Sequence, residues 1–372
     1  MHYICRCTRI RGRLWRERSL CSGGFAYLPI VYFFFVVLGA VLLVKLYYFE
    51  QKAQAVSYVK KNTVDNVPPK PKPKPAPLLD KVSYDRKMTI LANTGTTTPG
   101  IWPVNTVYPN AGALLPFTRI VAYYGNLYST KMGVLGEYPP DEMLGRLDRE
   151  VKKWETADPT TPVLPALDYI AVTAQGSSGK DGKYRLRMPF SQIDLILGMA
   201  ARINGIVFLD IQVGKSTVQD EIPLLGKYLK MPQVHLALDP EFSMKKGNAP
   251  GTIIGTMNAG DINFAATYLA KLVKENNLPP KILVIHRFTN EMVTGYKDIK
   301  PLPEVQIVMD MDGWGFQAKK INTYKRVIYK EPVQFTGFKL FYKNDIKAPN
   351  SKILTPDELL KISPRPSYIQ YQ

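Results

Sequence analysis

Short apolar runs rich in β-branched residues recur from residue 119 onward, and helical patterns separate most of them. Apolar strands that alternate with helices predict a parallel sheet covered by helices. Eight runs, over a length near the ~250 residues usual for this fold, favour an α/β (β/α)8 barrel of the TIM type over an open sheet. The runs lie at residues 119–125, 168–174, 205–212, 234–239, 251–257, 281–286, 305–310 and 335–342.

Helical patterns fill three of the connections, at residues 139–154, 191–205 and 261–277. The third pattern opens on Asp261, which we expect to be the N-cap of its helix. One connection is irregular, because the residues between the runs at 234–239 and 251–257 are too few for a helix. Either the barrel lacks the helix between its fourth and fifth strands, or residues 252–257 belong to a hairpin and the barrel is incomplete.

An uncharged apolar segment at residues 25–44 precedes the barrel region. As a helix it would span about 30 Å, the thickness of a bilayer's hydrocarbon core. Residues 1–24 carry six arginines against one glutamate, and the positive-inside rule places this basic arm in the cytoplasm. We therefore expect one transmembrane helix that contacts the lipid bilayer, with the barrel on the extracytoplasmic side. A signal peptide cleaved near Ala55 is the alternative, which charged residues before that site disfavour.

The rest of the chain divides by composition. Residues 45–80 are rich in proline and lysine, and alternation of the two at 67–77 predicts a semi-rigid stalk. Residues 81–118 are expected to be a lead-in that wraps or caps the barrel, which occupies residues 119–372. All three cysteines precede the apolar segment. No disulfide is therefore expected in the barrel, which favours a bacterial cell envelope protein.

The net charge of +18 narrows the possible partners. A basic stalk suits a position beside anionic lipid, a polysaccharide or an anionic wall polymer. Nucleic acid is excluded as a partner, because the barrel is expected outside the cytoplasm and the sequence has no basic-aromatic motif. No cofactor is expected, since no Gly-x-Gly-x-x-Gly follows the first run. No closely spaced His or Cys pair within residues 119–372 indicates a metal.

Acidic residues stand at the ends of several predicted strands. Barrel enzymes take their reacting groups from the C-terminal ends of different strands, so we expect these acids to meet at one mouth. Period-two alternation puts Asp239 and Glu241 on one face of their strand, and Asp310 and Asp312 on one face of theirs. Crowded carboxylates acquire different pKa values, which suits one acid and one base or nucleophile. Alternatively, Asp239 begins a helix and the later pair belongs to a turn before Gly313.

Polar and aromatic residues near the same strand ends are candidates for substrate binding. Basic groups there would contact anionic substituents of a glycan, and aromatic rings would stack on its sugars. The same side chains also serve ordinary packing in many barrels. The candidates are Tyr124, Asp210, Gln212, His286, Arg287, Trp314 and Lys339.

The segment LDPEF at residues 238–242 resembles the Asp-x-Glu strand ending of chitinase-type and muramidase-type glycoside hydrolases. The longer chitinase pattern is half present, because Val234 and Ala237 stand at its two earlier acidic positions. The segments IVAYYG, MGVLGE, HLALDPEF, VIHRF, MDGWG and GFKLFY resemble an uncharacterised family of bacterial envelope barrels over residues 119–372. The first resemblance implies glycosidase chemistry at Glu241. The second implies the barrel fold and carries no activity.

Three functions remain open from the sequence. The first is a membrane-anchored glycoside hydrolase, with Glu241 as general acid, Asp239 orienting it, and Asp310 or Asp312 as nucleophile or base. The second is a metal-assisted hydrolase, whose divalent ion would be held at the same mouth by Asp210, Asp239, Glu241, Asp310 and His286. The third is a non-catalytic glycan-binding protein of the envelope.

Overall fold

The computed structural model describes residues 78–94 and 100–372, in which eight parallel strands close into a barrel. Each strand pairs in parallel with the next one along the chain, and the last pairs with the first. The closed, parallel eight-stranded barrel that the sequence predicted is therefore confirmed, and it is consistent with a TIM-type α/β fold. The strands are β1 Arg119–Gly125, β2 Val163–Ala174, β3 Ile206–Ile211, β4 Val234–Leu238, β5 Lys281–Arg287, β6 Val305–Met311, β7 Phe335–Leu340 and β8 Tyr368–Tyr371.

One predicted strand is wrong. Residues 251–257 lie outside the barrel, and only Met257–Asn258 forms a two-residue strand, paired with Val293–Thr294. Ile253 and Ile254 are exposed, so the β-branched character of this run does not reflect burial. The segment instead packs against the turn that follows β4, where Gly255 N donates a hydrogen bond to the carbonyl of Glu241.

The strand that completes the barrel is β8, which the sequence prediction missed. It is only four residues long and follows Pro364 and Pro366 closely, so its apolar pattern is short and interrupted. Its side chains Tyr368, Ile369 and Tyr371 are nevertheless buried. A further short strand, Arg185–Arg187, pairs antiparallel with the end of β2.

Helices cover the outside of the barrel. Pro140–Ala157 begins with a proline and two acids in its first turn and buries Leu147, Val151 and Trp154 on one face. The α-helices are Lys81–Ala92, Val134–Glu137, Pro140–Ala157, Phe190–Arg202, Val218–Glu221, Gly226–Leu229, Ala259–Asn276, Gln317–Thr323 and Pro356–Leu359. Shorter 3-10 turns lie at Ile222–Leu225, Pro240–Phe242, Asn290–Met292 and Tyr296–Asp298, and Tyr324–Tyr329 is π-helical.

The predicted gap between the fourth and fifth strands is also wrong, because the helix Ala259–Asn276 connects β4 to β5. Its N-cap is Asn258, whose side chain accepts a hydrogen bond from Asp261 N. Asp261 returns this contact by accepting from Asn258 N at 2.9 Å. Asp261 is therefore the third helical residue of a capping box and is not the cap itself.

The N-terminal end of the barrel interior is filled by apolar side chains. Ile120, Ile206, Ile282 and Phe335, at the starts of four strands, join one buried cluster. The helix Lys81–Ala92 adds Tyr84 and Met88 to the same cluster, together with the buried Leu115. Gln306 fixes the chain there, since its side chain accepts from Leu115 N at 3.1 Å and donates to the carbonyl of Leu115 at 2.6 Å. This end of the barrel is closed by buried apolar side chains.

Within the described ranges, no helix has the length and apolar character needed to cross a membrane. The predicted basic arm at 1–24, the transmembrane helix at 25–44 and nearly all of the predicted stalk at 45–80 lie outside the residues that the structure describes.

Candidate active site

The C-terminal end of the barrel interior carries charged and polar side chains. Strand alternation turns one set of residues inward, and near the strand ends that set is polar. These inward residues are Tyr124 of β1, Asp168 of β2, Asp210 of β3, His286 of β5, Asp310 of β6, Lys339 of β7 and Gln370 of β8. All of them are buried, so this end has opposite chemistry to the closed end.

A cavity of about 670 Å³ opens at this end. Its volume lies within the ~300–1,000 Å³ typical of small-molecule sites. It is lined by polar, cationic and aromatic side chains from several strand ends and loops. The predicted site residues that line it are Tyr124, Gln212, Asp239, Glu241, Asp312, Trp314 and Lys339. The structure therefore brings most of the predicted residues together around one space.

Glu241 lies in the 3-10 turn Pro240–Phe242, which directly follows β4. Asp239 is the N-cap of this turn, because its Oδ1 accepts a hydrogen bond from Glu241 N at 3.2 Å. The alternative of a helix start is thus also realised, but as a single turn that holds Glu241 at the cavity wall. Burial first, and then the charge of Asp312, raises the pKa of Glu241 to about 7, against the opposing effect of Lys339.

Asp239 is held by Gln212, whose Nε2 donates to Asp239 Oδ2 at 3.1 Å. Gln212 is itself oriented by Ala174 N, which donates to Gln212 Oε1, and its Nε2 lies 3.3 Å from the Tyr124 hydroxyl. Burial and then the charge of Asp210 raise the pKa of Asp239 well above its usual range. Asp239 therefore stands as a fixed neighbour of Glu241, with both of its carboxyl oxygens accepting hydrogen bonds.

Asp312 forms an ion pair with Lys339 at the cavity floor, with a distance of 3.2 Å between Oδ1 and Nζ. The Lys339 ammonium also lies 3.7 Å from the centre of the Tyr124 ring, within cation–π range. Burial opposes the charge on Lys339, but the surrounding carboxylates outweigh it and raise the pKa of this lysine. A charged lysine therefore stands beside the Asp312 carboxylate.

His286, Asp210 and Asp310 form a layer beneath the cavity and do not line it. His286 Nε2 lies 3.1 Å from Asp210 Oδ2, and His286 Nδ1 lies 3.1 Å from Asp310 Oδ2. Nδ1 is also 3.6 Å from Asp312 Oδ2. Burial opposes protonation of His286, but these hydrogen bonds and charges raise its pKa well above the usual value. The His286 ring thus supports Asp312 from below.

This layering corrects the predicted roles of three residues. Asp210 and Asp310 are each two residues before the cavity-lining Gln212 and Asp312, and this step along a strand places them one layer deeper. With His286, they are fully buried and out of reach of a ligand in the cavity. Asp312 is therefore the candidate nucleophile or base, and Asp310 is not.

Arg287 is the predicted site residue that the structure places elsewhere. It follows the inward His286 and so faces outward, where its guanidinium is buried against the carbonyls of Asn290 and Val293. It also pairs with Glu331. Arg287 ties the loop after β5 to the barrel wall and does not contact the cavity.

The sequence analysis missed Asp168 and Gln370 in the lower layer. Asp168 Oδ2 accepts hydrogen bonds from the Tyr368 hydroxyl at 2.7 Å and from Gln370 Nε2 at 2.8 Å. Burial and the charge of Asp210 raise the pKa of Asp168 to about 7. An acid within an apolar run was a visible signal for Asp168. Gln370 was missed because β8 itself was missed.

Five further side chains at the cavity were not predicted from the sequence. They lie on a loop, on the helical segments Gln317–Thr323 and Tyr324–Tyr329, and directly after β5 and β7. Lys131, Lys319 and Arg326 are exposed cations, and Phe288 and Phe341 add aromatic surface. Trp314 is half-exposed, with Lys319 Nζ 4.8 Å from the centre of its ring. The three cations lie away from strand ends in sequence, so strand periodicity gives no signal that would place them at the mouth.

No family model matches the chain, and no curated protein sequence matches it. The barrel is similar to solved structures of low sequence identity. The cellulase Cel5C_n is 12% identical with a TM-score of 0.35, over 59% of this chain and 65% of that chain. PbGH5A, a glycoside hydrolase family 5 enzyme from Prevotella bryantii B14, is 9% identical with a TM-score of 0.30, over 59% of this chain and 77% of that one.

The HPPK-DHPS protein of Plasmodium falciparum, solved with pteroate, is 12% identical with a TM-score of 0.32, over 78% of this chain and 52% of that chain. The chain thus spans about two thirds of the cellulase and half of this protein. Likenesses with TM-scores this low carry no argument about chemistry. The function has to be argued from the side chains around the cavity.

Proposed function

We propose that the barrel is a glycoside hydrolase that uses Glu241 as general acid and Asp312 as nucleophile or base. The observation that carries this proposal is that two carboxyl groups in unlike surroundings line one cavity. Glu241 has a pKa raised to about 7 by burial and by Asp312. Asp312 is held beside the ammonium of Lys339. Two carboxyl groups in unlike environments are what glycosidic bond cleavage requires.

Glu241 is suited to protonate the leaving oxygen of the glycosidic bond. A general acid works best when its pKa lies near the operating pH, because it then holds a proton and still releases it readily. The 3-10 turn and the cap from Asp239 fix its backbone at the cavity wall. Burial and the charge of Asp210 raise the pKa of Asp239, which disfavours a second negative charge next to the proton donor.

Asp312 is suited to the other half of the reaction. In a retaining mechanism its carboxylate would attack the anomeric carbon, and in an inverting mechanism it would deprotonate the attacking water. Lys339 and His286, at 3.2 Å and 3.6 Å, would stabilise its negative charge before attack. The configuration of the first sugar released, followed by NMR, distinguishes the two mechanisms.

The cavity lining favours an acidic polysaccharide as substrate. Lys131, Lys319 and Arg326 are exposed at the cavity and make no ion pair with any acid in the described part of the chain. Free cations of this kind would attract anionic substituents, while Trp314 offers an aromatic face for a sugar ring. The carboxyl groups on the floor would instead face an uncharged glycosidic bond.

The location of this activity is a separate part of the proposal. The uncharged segment at 25–44, the arginine-rich arm before it and the proline-lysine stretch after it support an anchor and a stalk. The barrel would then act outside the cytoplasm, on a polysaccharide or anionic wall polymer of the cell envelope. Protease protection of residues 1–24 but not of the barrel, in intact cells, would support this orientation, and the reverse would contradict it.

The function is tested with the full-length protein in detergent, against a panel of acidic and neutral polysaccharides. We expect new reducing ends from an acidic polysaccharide, loss of this activity in Glu241→Gln, and full activity in the control Glu155→Gln. Glu155 is an exposed glutamate on the outer helix Pro140–Ala157. Binding without turnover by the unaltered protein would favour the glycan-binding alternative. Retained turnover in Glu241→Gln would remove Glu241 from the acid role.

A further inference from the structure

The layer beneath the cavity holds more carboxylates than cations. Asp168, Asp210 and Asp310 are fully buried there, and His286 is shared between the last two. Among the residues that the structure describes, no lysine, arginine or histidine lies within ion-pair distance of Asp168. A buried carboxylate without a compensating charge destabilises the fold, so a further positive charge would stabilise this layer.

The unused hydrogen-bonding atoms of this layer are all oxygens. Asp168 and Asp210 each use Oδ2, the first toward Tyr368 and Gln370 and the second toward His286. Oδ1 of both residues is buried and has no hydrogen-bond partner in the described structure. Gln370, which contacts Asp168 through its Nε2, leaves its buried Oε1 without a partner as well. Buried acceptors without partners are rare, and several on adjoining side chains call for a shared explanation.

The spacing of these groups suits a metal ion. Ligand atoms of Asp168, Asp210 and His286 lie within 4.8 Å of one another. A hard divalent cation with oxygen ligands at ~2.0–2.6 Å can bridge two atoms about 4–5 Å apart. Carboxylate and amide oxygens are the ligands that such a cation prefers. The oxygens without partners, Oδ1 of each aspartate and Oε1 of Gln370, would be the ligands.

We propose that Asp168 and Asp210, with the side-chain oxygen of Gln370, hold a buried divalent cation that stabilises the barrel beneath the cavity. These residues do not line the cavity, so the ion does not meet the substrate. It neutralises the lower layer and joins β2, β3 and β8 across the interior. The proposal is independent of the glycosidase proposal, because its test reads metal content and stability and not turnover.

The test measures bound metal and thermal unfolding of the full-length protein. We expect about one divalent ion per chain by elemental analysis, a melting temperature several degrees lower after chelation, and recovery on adding back Ca²⁺, Mg²⁺ or Mn²⁺. A ligand that binds only the folded state raises stability with its concentration, which predicts this recovery. Absence of metal, together with an unchanged melting temperature for all three ions, would overturn the proposal.

Substitutions test whether the metal-dependent shift in melting temperature arises at this site. Asp168→Asn is expected to abolish the metal-dependent shift, and Gln370→Leu, which removes an oxygen ligand but no charge, to reduce it. Glu304→Gln is the matched control, because Glu304 also has a buried oxygen without a partner but is paired with Lys274 at 3.3 Å. The control should keep the full shift. If Asp168→Asn does not fold, Gln370→Leu decides, and a full shift in that variant would contradict the site.

Discussion

The two ends of the barrel interior are built from opposite residues on the same strands. β3 begins with the apolar Ile206 and carries Asp210 four residues later, and β5 carries the apolar Ile282 at its second position and His286 four residues later. The first end is an apolar plug, and the second is a layer of buried charged groups below an open cavity. Apolar burial stabilises the fold, whereas each buried carboxyl group lowers its stability.

The part of the barrel interior that stabilises the fold is therefore separate from the part that carries the candidate site. The pKa values of Asp168, Asp239 and Glu241 are all raised, mainly by burial. The open end therefore favours the protonated form of these groups more than water does. Such perturbed groups are typical of functional sites. The apolar end must supply the stability that the charged end removes. Changes at the two ends should therefore have separable effects on activity and on unfolding.

The largest effect is expected from Asp312→Asn at the open end. Removing the nucleophile or base should lower turnover by about 10²–10⁴-fold, the range for loss of such a group. Stability should fall as well, because Asn leaves the buried Lys339 ammonium without its carboxylate partner, so the rate is expressed per folded molecule. Initial rates of reducing-end release measure the first effect, and thermal unfolding measures the second. The exposed Asp298→Asn serves as control, and activity within tenfold of the unaltered protein would contradict the role of Asp312.

The reverse pattern is expected from Phe335→Ala at the closed end. Truncation of a fully packed phenylalanine costs about 3–5 kcal/mol of unfolding free energy. Phe335 is buried in the apolar plug and lies away from the cavity. Urea unfolding should show the loss, while the rate per folded molecule at low temperature stays unchanged. The control Phe316→Ala removes a half-exposed ring and should cost far less. Equal losses in both variants would break the comparison between the two ends.

A smaller effect is expected between the two ends, at Gly337 of β7. A Cβ at this position would lie 2.5 Å from Asp310 Oδ1 and 3.0 Å from Tyr368 Cδ1. The absence of a side chain therefore makes room for the buried charges. Gly337→Ala should lower the unfolding free energy by about 1–3 kcal/mol, the usual cost of overpacking. Gly198→Ala on an outer helix meets nothing within 4 Å and is the control. An unchanged unfolding midpoint in Gly337→Ala would contradict this prediction and would mean that Asp310 and Tyr368 shift to accommodate the added methyl group.

Much of this contrast could be predicted from the sequence, because strand periodicity assigns each residue to one face. It predicted Asp239 and Glu241 on one face of an extended strand, but the strand ends at Leu238 and both residues reach the cavity through the turn that follows. The same rule, applied to β5, would have turned Arg287 outward beside an inward His286. Depth could not be predicted, since it depends on how far each strand is staggered against its neighbours. For that reason nothing in the sequence distinguishes Asp310 from Asp312 as a site residue, although only Asp312 reaches the cavity.

The two errors in the strand assignment have a common physical cause. The β-branched run at 251–257 predicts a strand, but Ile253 and Ile254 are exposed there. The short buried strand β8 follows two prolines, and its interrupted apolar pattern does not predict it. Local composition reports propensity, but membership of a closed barrel depends on partners far away in sequence. Closure itself required a strand to pair with β1, and that requirement points to the C-terminus.

The smallest predicted effect concerns pH, and it separates activity from stability at a single residue. With the pKa of Glu241 raised to about 7, the protonated acid disappears above that pH, and turnover should fall about tenfold per unit as one proton is lost. Initial rates from pH 5 to 9 measure this limb. A flat profile through pH 8 would contradict Glu241 as the acid.

Stability should respond to the same group in a lower pH range. The pKa of Glu241 is raised from about 4.5 when unfolded to about 7 when folded, so the folded state binds more protons between these values. The unfolding free energy must therefore fall as pH rises from about 4.5 to about 7, and the contribution of Glu241 becomes constant above that. Glu241→Gln removes this contribution, so its stability should depend less steeply on pH than that of the unaltered protein. Urea unfolding at pH 5, 6, 7 and 8 compares the two slopes. Identical slopes would mean that the charged end does not strain the fold through Glu241, and the contrast between the two ends would then rest on the deeper aspartates alone.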